Sequence, residues 1–278
     1  MTKIIYTLTK FIVFIIVAVL SLTSCEDVIE VDLENGSPKL VIEASILWKK
    51  GTAGNEQKIK LSQTANYFSN TIPKVSNATV FITDDTNTYT FTENGTSGEY
   101  ICTNFIPVIG KTYQLTIIAN GQTYTASETM QAVPNIETIE QKNDGGFLGD
   151  EIEVKFFYQD NGATTNFYLI QFNTNFSLLP EYDVLNDSFF QGNQMFGLYS
   201  NEDLKSNDTV NFTLHAISER YYNYMNVLLG VSGGNAGSPF STPPATVRGN
   251  IINQTNTANF PLGYFSLSEI DTETYTVQ

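Results

Sequence analysis

The sequence predicts a mainly β protein: an N-terminal immunoglobulin- or transthyretin-like β-sandwich, then a second β-rich domain carrying one short helix. Three observations carry this. Seven short alternating segments follow Lys39 within about 90 residues. The chain holds 19 Phe and 15 Tyr with abundant Thr and Asn, residue types that favour strands and turns over helices. Gly and Asn cluster between the segments, where turns are needed.

Residues 1–24 read MTKIIYTLTKFIVFIIVAVLSLTS. Lys3 and Lys10 give a positive start, and Phe11 to Leu20 is an apolar run of ten. At about 1.5 Å per residue such a run spans about 15 Å, roughly half a bilayer core. The segment therefore reads as a secretory signal; an uncleaved anchor is the alternative. It ends in Leu22-Thr23-Ser24-Cys25, which resembles a bacterial lipobox: a leucine, two small residues, then the cysteine whose thiol takes a diacylglycerol. Each buried methylene of an acyl chain such as palmitate contributes about 0.8 kcal/mol, so two or more chains anchor stably. Cys25 is the predicted lipidation site, and the membrane is the predicted partner through that lipid. Glu26, Asp27, Glu30, Asp32 and Glu34 follow in an acidic tether over residues 25–38. Acids just behind the lipid resemble the surface-export signal of Bacteroidetes lipoproteins, which implies an outer-membrane protein facing the exterior. On plain chemistry they are a solvated spacer.

The first domain is expected over residues 39–130. KLVIEASILW, QKIKLSQT, ATVFITDD, TYTFTEN, GEYICTN, TYQLTIIAN and QTYTASETM are its strands. Asn120-Gly121 predicts a type I′ hairpin, because both residues tolerate positive φ. Pro134 and Asn143-Asp144-Gly145-Gly146 break the rhythm, which places a linker near residues 130–136 and a second domain over 137–278. There EIEVKFFYQD, NFYLIQFNTNF and DTVNFTLHAI read as strands, and LGYFSLSEI and ETYTVQ as two final pieces. A helix is predicted over 218–229, with Ile217, Tyr221, Tyr224, Met225 and Leu228 on one face, Ser218 as its cap and Gly230 as its stop. Leu179 to Lys205 and the Pro/Gly-rich Gly233 to Arg248 read as long irregular segments.

Loss of residues 1–24 removes two lysines and no acid, moving the formal charge from −15 to −17. Such a surface repels nucleic acid, which is excluded as a partner. With Cys25 lipidated, Cys102 stands alone in GEYICTNFI and reads as a buried structural thiol. One histidine and one free cysteine cannot build the usual zinc site. Asp84-Asp85, Asp144 with Asp150, and Asp183 with Asp187 leave loop calcium open, but none has EF-hand spacing and calcium is not predicted. No cofactor is expected beyond the covalent lipid. Gly230-Val231-Ser232-Gly233-Gly234 has the G-x-S-x-G pattern, yet it follows a helix and the sole histidine, His215, precedes the serine, the reverse of a hydrolase elbow. Among 29 acids nothing marks out a glycosidase pair. Asp208-Thr209-Val210 resembles the short O-glycosylation acceptor of Bacteroidetes, with Thr209 as acceptor.

CEDVIEVDLENGSPKLVIEASI, VSNATVFITDD, SGEYICTN with GKTYQLTI, YTASETM, PPATVRGNI and LGYFSLSE occur in an order that resembles the domain-of-unknown-function family DUF4249 of Bacteroidetes lipoproteins. Ala44-Ser45 stand where a glycine is common in that family. The family has no established activity. Its members are often encoded beside TonB-dependent outer-membrane receptors, which implies an accessory role in nutrient capture, with such a receptor as partner. The expected function is thus a non-catalytic binding or accessory lipoprotein; a fixed assembly subunit and, behind it, a hydrolase are the alternatives. Long loops of sandwich modules commonly bind ligands, and Phe189, Phe190, Phe196, Tyr199 and Phe240 are the candidate ligand-binding residues. The same rings could instead cover the second domain's core.

Overall fold

Period-two alternation in the sequence becomes buried and solvent faces in space. The computed structural model describes residues 37–66, 69–146, 149–232 and 247–278. The signal segment, Cys25, nearly all of the tether and Phe240 lie outside the described residues. All seven expected early segments are strands: β1 (Leu40–Lys49), β2 (Gln57–Gln63), β3 (Thr79–Thr83), β4 (Thr88–Glu93), β5 (Glu99–Cys102), β6 (Thr112–Ala119) and β7 (Gln122–Thr129). Asn120 and Gly121 have φ of 51° and 72°, and Ala119 pairs with Gln122, as a type I′ hairpin requires.

β4 makes the corner of this sandwich. Thr88 to Phe91 pair with β3, whereas Thr92 and Glu93 pair with β5. The hydrogen-bonded sheet therefore folds over on itself, and inward residues from both leaves fill one core: Ile42, Ile46, Ile59, Leu61 and Tyr100 from one side, Val80, Ile82, Tyr113, Leu115 and Ile117 from the other. Buried tyrosines tie loops to that core. The Tyr113 hydroxyl donates to the Ile106 carbonyl at 2.8 Å, and that of Tyr100 to the Val75 carbonyl at 2.9 Å.

A second core lies between β10 (Phe167–Thr174), β13 (Thr209–Ile217) and a three-stranded sheet of β8 (Ile136–Gly145), β9 (Glu151–Gln159) and β12 (Gln194–Ser200). Val154, Phe156, Tyr158, Ile170, Phe212 and Leu214 are fully buried in it. β11 (Glu181–Asn186) edges the large sheet beside β10. Three expectations are corrected here. The segment Leu179 to Lys205, read as irregular, contains β11 and β12; in β12 an inward glycine, Gly197, hides the alternation, because a Cβ there would run into the Phe156 ring. The interruption around Asn143 to Gly145 is the end of edge strand β8, whose register shifts twice against β9 and so blurs its period. The two final pieces are one strand, β15 (Leu262–Thr276).

β15 is shared by both cores. Leu262 to Ile270 run parallel to β1, and Ile270 to Thr276 run antiparallel to β13. Phe265 and Leu267 enter the first core, and Val277, just beyond the strand, enters the second. Ile251, next to the two-residue β14 (Ile252–Asn253), also belongs to the first core. Between the cores, the backbone N–H groups of Val133 and Ile136 donate to Glu269 at 2.9 Å and Asp271 at 2.7 Å, strapping residues 130–136 to β15.

Entry to β15 is fixed by glycine. Gly263 has φ of 95°, and a Cβ on it would overlap the Ile42 carbonyl; one on Gly249 would overlap the Gly263 carbonyl. Asn250 completes the join by bracketing Phe265, its Nδ2 donating to the Phe265 carbonyl at 2.8 Å and its Oδ1 accepting from the Phe265 N–H at 2.9 Å. Gly263→Ala should therefore lower unfolding free energy by more than about 2 kcal/mol in urea titration. A change within about 0.5 kcal/mol would show that the backbone crossing is not tight.

His215 on β13 is buried, and its Nε2 has no partner among the described residues. Burial disfavours the imidazolium and lowers its pKa to about 4. Below the unfolded value the unfolded chain binds the extra proton first, so this residue removes stability as pH falls from about 6.5 towards 4. Between pH 7 and 5 its contribution is about 2 kcal/mol. His215→Leu should flatten that part of the stability profile, measured by urea unfolding at both pH values; an unchanged profile would contradict the buried neutral state.

Candidate functional site

The helix α1 (Glu219–Ser232) starts where the sequence places it. The Ser218 Oγ accepts from the Tyr221 N–H at 3.2 Å, and Glu219 lies in the first turn. Its expected apolar face packs on β10 and β11, with Ile217, Met225 and Leu169 buried and Tyr221, Tyr224 and Leu228 against them. Gly230 is not the stop: α1 runs on to Ser232, because Gly230 keeps helical backbone and nothing crowds it.

Beside α1 a groove of about 410 Å³ is lined by Arg220, Asn223, Tyr224, Val227, Val247, Arg248, Gly249, Asn250 and Tyr264. Its volume is that of a small-molecule site, and its walls are mainly aromatic and aliphatic. Arg220, Tyr224 and Val227 follow the i, i+4, i+7 spacing of one helix face. Tyr264, from β15, stacks at 4.6 Å from Tyr221 and 4.7 Å from Tyr224, making an aromatic floor. Burial pushes the Tyr264 hydroxyl above the ordinary phenol range; Glu128 adds to this and Arg220 opposes it. Burial also raises Tyr221, to about 12, and Tyr224.

Both guanidiniums are positioned by neighbours. Arg220 Nη2 donates to the Ser127 carbonyl at 3.2 Å, and Arg248 lies 3.9 Å over the Phe260 ring, whose centroid is also 3.3 Å from Lys39 Nζ. Buried Glu128 underlies the groove, accepting from Ser218 Oγ at 3.0 Å, Thr129 N–H at 3.1 Å and Tyr264 Oη at 3.5 Å. Among the described residues neither arginine is ion-paired with a carboxylate. Sequence reasoning missed this site. The available signal was compositional: the chain has only two arginines, against twelve lysines, and they line one groove.

The sequence-predicted ligand residues lie elsewhere. Phe189 is 91% exposed, and Phe190 and Phe196 are also exposed. Phe196 leans on Phe157, ring centroids 6.0 Å apart, with Lys155 Nζ at 5.2 Å. Tyr199 is corrected: it is 2% exposed in the second core, on the inward face of β12, and its hydroxyl donates to Glu181 Oε1 at 2.9 Å. Thr209 opens β13, partly buried, with its N–H donating to Asn175 Oδ1. Cys102 is buried and its thiol donates to Asn104 Oδ1 at 3.1 Å; burial raises its pKa, the setting of a structural thiol. Ser232 Oγ donates to the Leu228 carbonyl at 2.8 Å inside α1, so G-x-S-x-G is no elbow here.

Among the loop acids, Asp84 is engaged internally. Burial would raise its pKa, but hydrogen bonds from the Thr86 and Asn87 backbone and from Lys111, whose Nζ is 3.0 Å away, hold it well below the usual carboxylate range. Among the described residues no group of three or more His, Cys, Asp or Glu is placed to hold a metal.

A family model described as "Domain of unknown function (DUF4249)" matches residues 26–274. The chain belongs to the DUF4249 family. No curated protein matches it. Among solved structures it is similar to a two-domain fibronectin type-III segment of chicken tenascin, at 10% identity over 65% of this chain and 91% of that one, TM-score 0.21. It is also similar to the FN1–FN3 domains of chicken CNTN1, at 13% identity over 66% and 62%, TM-score 0.26. The fold of this DUF4249 protein is mainly β, with one helix among the described residues. Residues 247–251, the described end of the family-like segment PPATVRGNI, meet the segment LGYFSLSE at the Gly249–Gly263 crossing.

Tyr199→Ala should cost about 3–5 kcal/mol in urea unfolding, because it opens the second core. Phe189→Ser should stay within about 0.5 kcal/mol. The reverse ranking would exchange their assignments.

Proposed function

We propose that this protein is a lipid-anchored outer-membrane lipoprotein, facing outward, that acts as a non-catalytic binding component of a TonB-dependent nutrient uptake system. The observation that carries the reading is the ordered run of positive start, apolar stretch, Leu22-Thr23-Ser24, Cys25 and acidic tether. A thiol at the mature terminus provides the attachment point, and the acids keep the chain solvated beside the membrane. The groove at α1 supports binding, being concave, largely apolar and supplied with convergent polar groups. The transport setting rests on what the family resemblance implies about neighbouring receptors.

Deleting the gene should slow growth on at least one single nutrient source. Wild type should restore growth, and Cys25→Ala, absent from the outer-membrane fraction, should not. Unchanged growth on every source, or full rescue by Cys25→Ala, would defeat the reading. Protease shaving of intact cells should remove the domain; complete protection would reverse the orientation.

A second reading, an assembly subunit without a small ligand, is favoured by Leu178, Leu179 and Phe189, which stand 101%, 76% and 91% exposed. It requires a receptor that co-purifies stoichiometrically without added nutrient and is released by Phe189→Ser.

A further inference from the structure

We propose that the groove beside α1 binds a carboxylate carried on an apolar or aromatic body. The inference rests on the reading of this protein as a binding component and names the ligand class. Its basis is a concentration of one residue type. Across 278 residues the chain uses arginine twice, at positions 28 apart in sequence, and both line this groove. Lysine supplies every other side-chain cation. A guanidinium differs from an ammonium in offering a planar fork of N–H donors, which matches the two oxygens of a carboxylate.

The two forks are held ready. Arg220 spends one bond on the Ser127 carbonyl, out of five donors. Arg248 has its Cζ 3.9 Å over the centroid of the Phe260 ring, a cation–π contact that requires none of its N–H donors. Lys39, whose Nζ is 3.3 Å from the centroid of the same ring, adds a third positive charge to this end of the molecule. Glu128, a carboxylate beneath the groove, accepts from Ser218, Thr129 and Tyr264, so its acceptor capacity is directed inward. In a protein of formal charge −15, the described lining of this groove holds two side-chain cations and no carboxylate.

The walls decide between anions. Tyr224, Val227, Val247 and Tyr264 present aromatic and aliphatic surface that a bare phosphate or sulfate would leave unused. A ligand that places its carboxylate at the arginines and an apolar side group on the tyrosine floor uses both. A free apolar acid and the C-terminus of a peptide ending in a hydrophobic residue share this chemistry.

The test is calorimetric titration of the full mature chain in detergent with N-acetyl-phenylalanine, its neutral amide, and a tetrapeptide ending in phenylalanine. At least one acid should bind at least tenfold more tightly than the amide. Arg220→Gln and Arg248→Gln should each weaken that binding about tenfold, with little change in melting temperature, and lysine at either position should recover only part. A stronger peptide than free acid assigns a peptide terminus; the reverse assigns a small acid. Equal binding of acid and amide, wild-type affinity in the double Gln variant, or no binding of either acid at about 10 mM would overturn the proposal. The two failures separate: a chain that discriminates acid from amide but whose deletion leaves growth unchanged loses only the transport role. A chain needed for growth that does not discriminate loses only this ligand class.

Discussion

The structure from Pro38 to Gln278 depends on β15 being one strand that serves two cores. Its first part completes the sandwich beside β1, and its last part completes the sheet beside β13. A strand at 3.2–3.4 Å per residue can reach across both because it is 15 residues long. What allows the parallel pairing is a close passage of backbones, Ile42 over Gly263 and Gly263 over Gly249, where no side chain fits. Acids on the same strand then hold the connecting segment: Glu269 takes the Val133 N–H and Asp271 the Ile136 N–H. Residues 262–270, late in the chain, are thereby built into the first core, so the two cores are coupled by covalent and hydrogen-bonded continuity.

The groove inherits its geometry from this arrangement. Tyr264 follows Gly263 directly, so the glycine that seats β15 also sets the aromatic floor. Arg248 precedes Gly249 and Asn250, whose contacts with β15 hold the segment in place. Arg220 is carried by α1, which follows β13 after a single capping serine. Two arginines 28 residues apart therefore line one groove because both are anchored to neighbours of one strand. The site lies on regular elements and their immediate flanks, which suits a preformed binding surface.

Much of the fold was legible in local pattern. Alternation in Thr112 to Ile117 and the Asn-Gly turn gave β6 and β7 with the correct pairing, and the i, i+4, i+7 stripe from Ile217 gave α1. What escaped was information that local pattern does not carry. Gly197 faces inward yet reads as a break, since its role is to admit Phe156 from another strand. β8 is bulged and lies at an edge, so its period is blurred. The unity of β15 was hidden by Asp271, Thr272 and Glu273, polar residues whose partners come from β8's approach and from β13. The groove was missed for a related reason. Exposed aromatics in one segment are visible to a linear reading, and Tyr199 among them belongs to a core. A pair of arginines 28 residues apart gains meaning only once the topology brings them together.

The coupling of the two cores through β15 is open to a direct measurement. Trp48, the single tryptophan, packs against the first core, and the amides of β9 report on the second. Equilibrium urea unfolding followed by Trp48 fluorescence should share its midpoint with the loss of hydrogen-exchange protection in Glu151–Gln159. Two separated midpoints, with β9 opening while Trp48 keeps its native emission, would contradict a strand common to both cores as the element that holds them together.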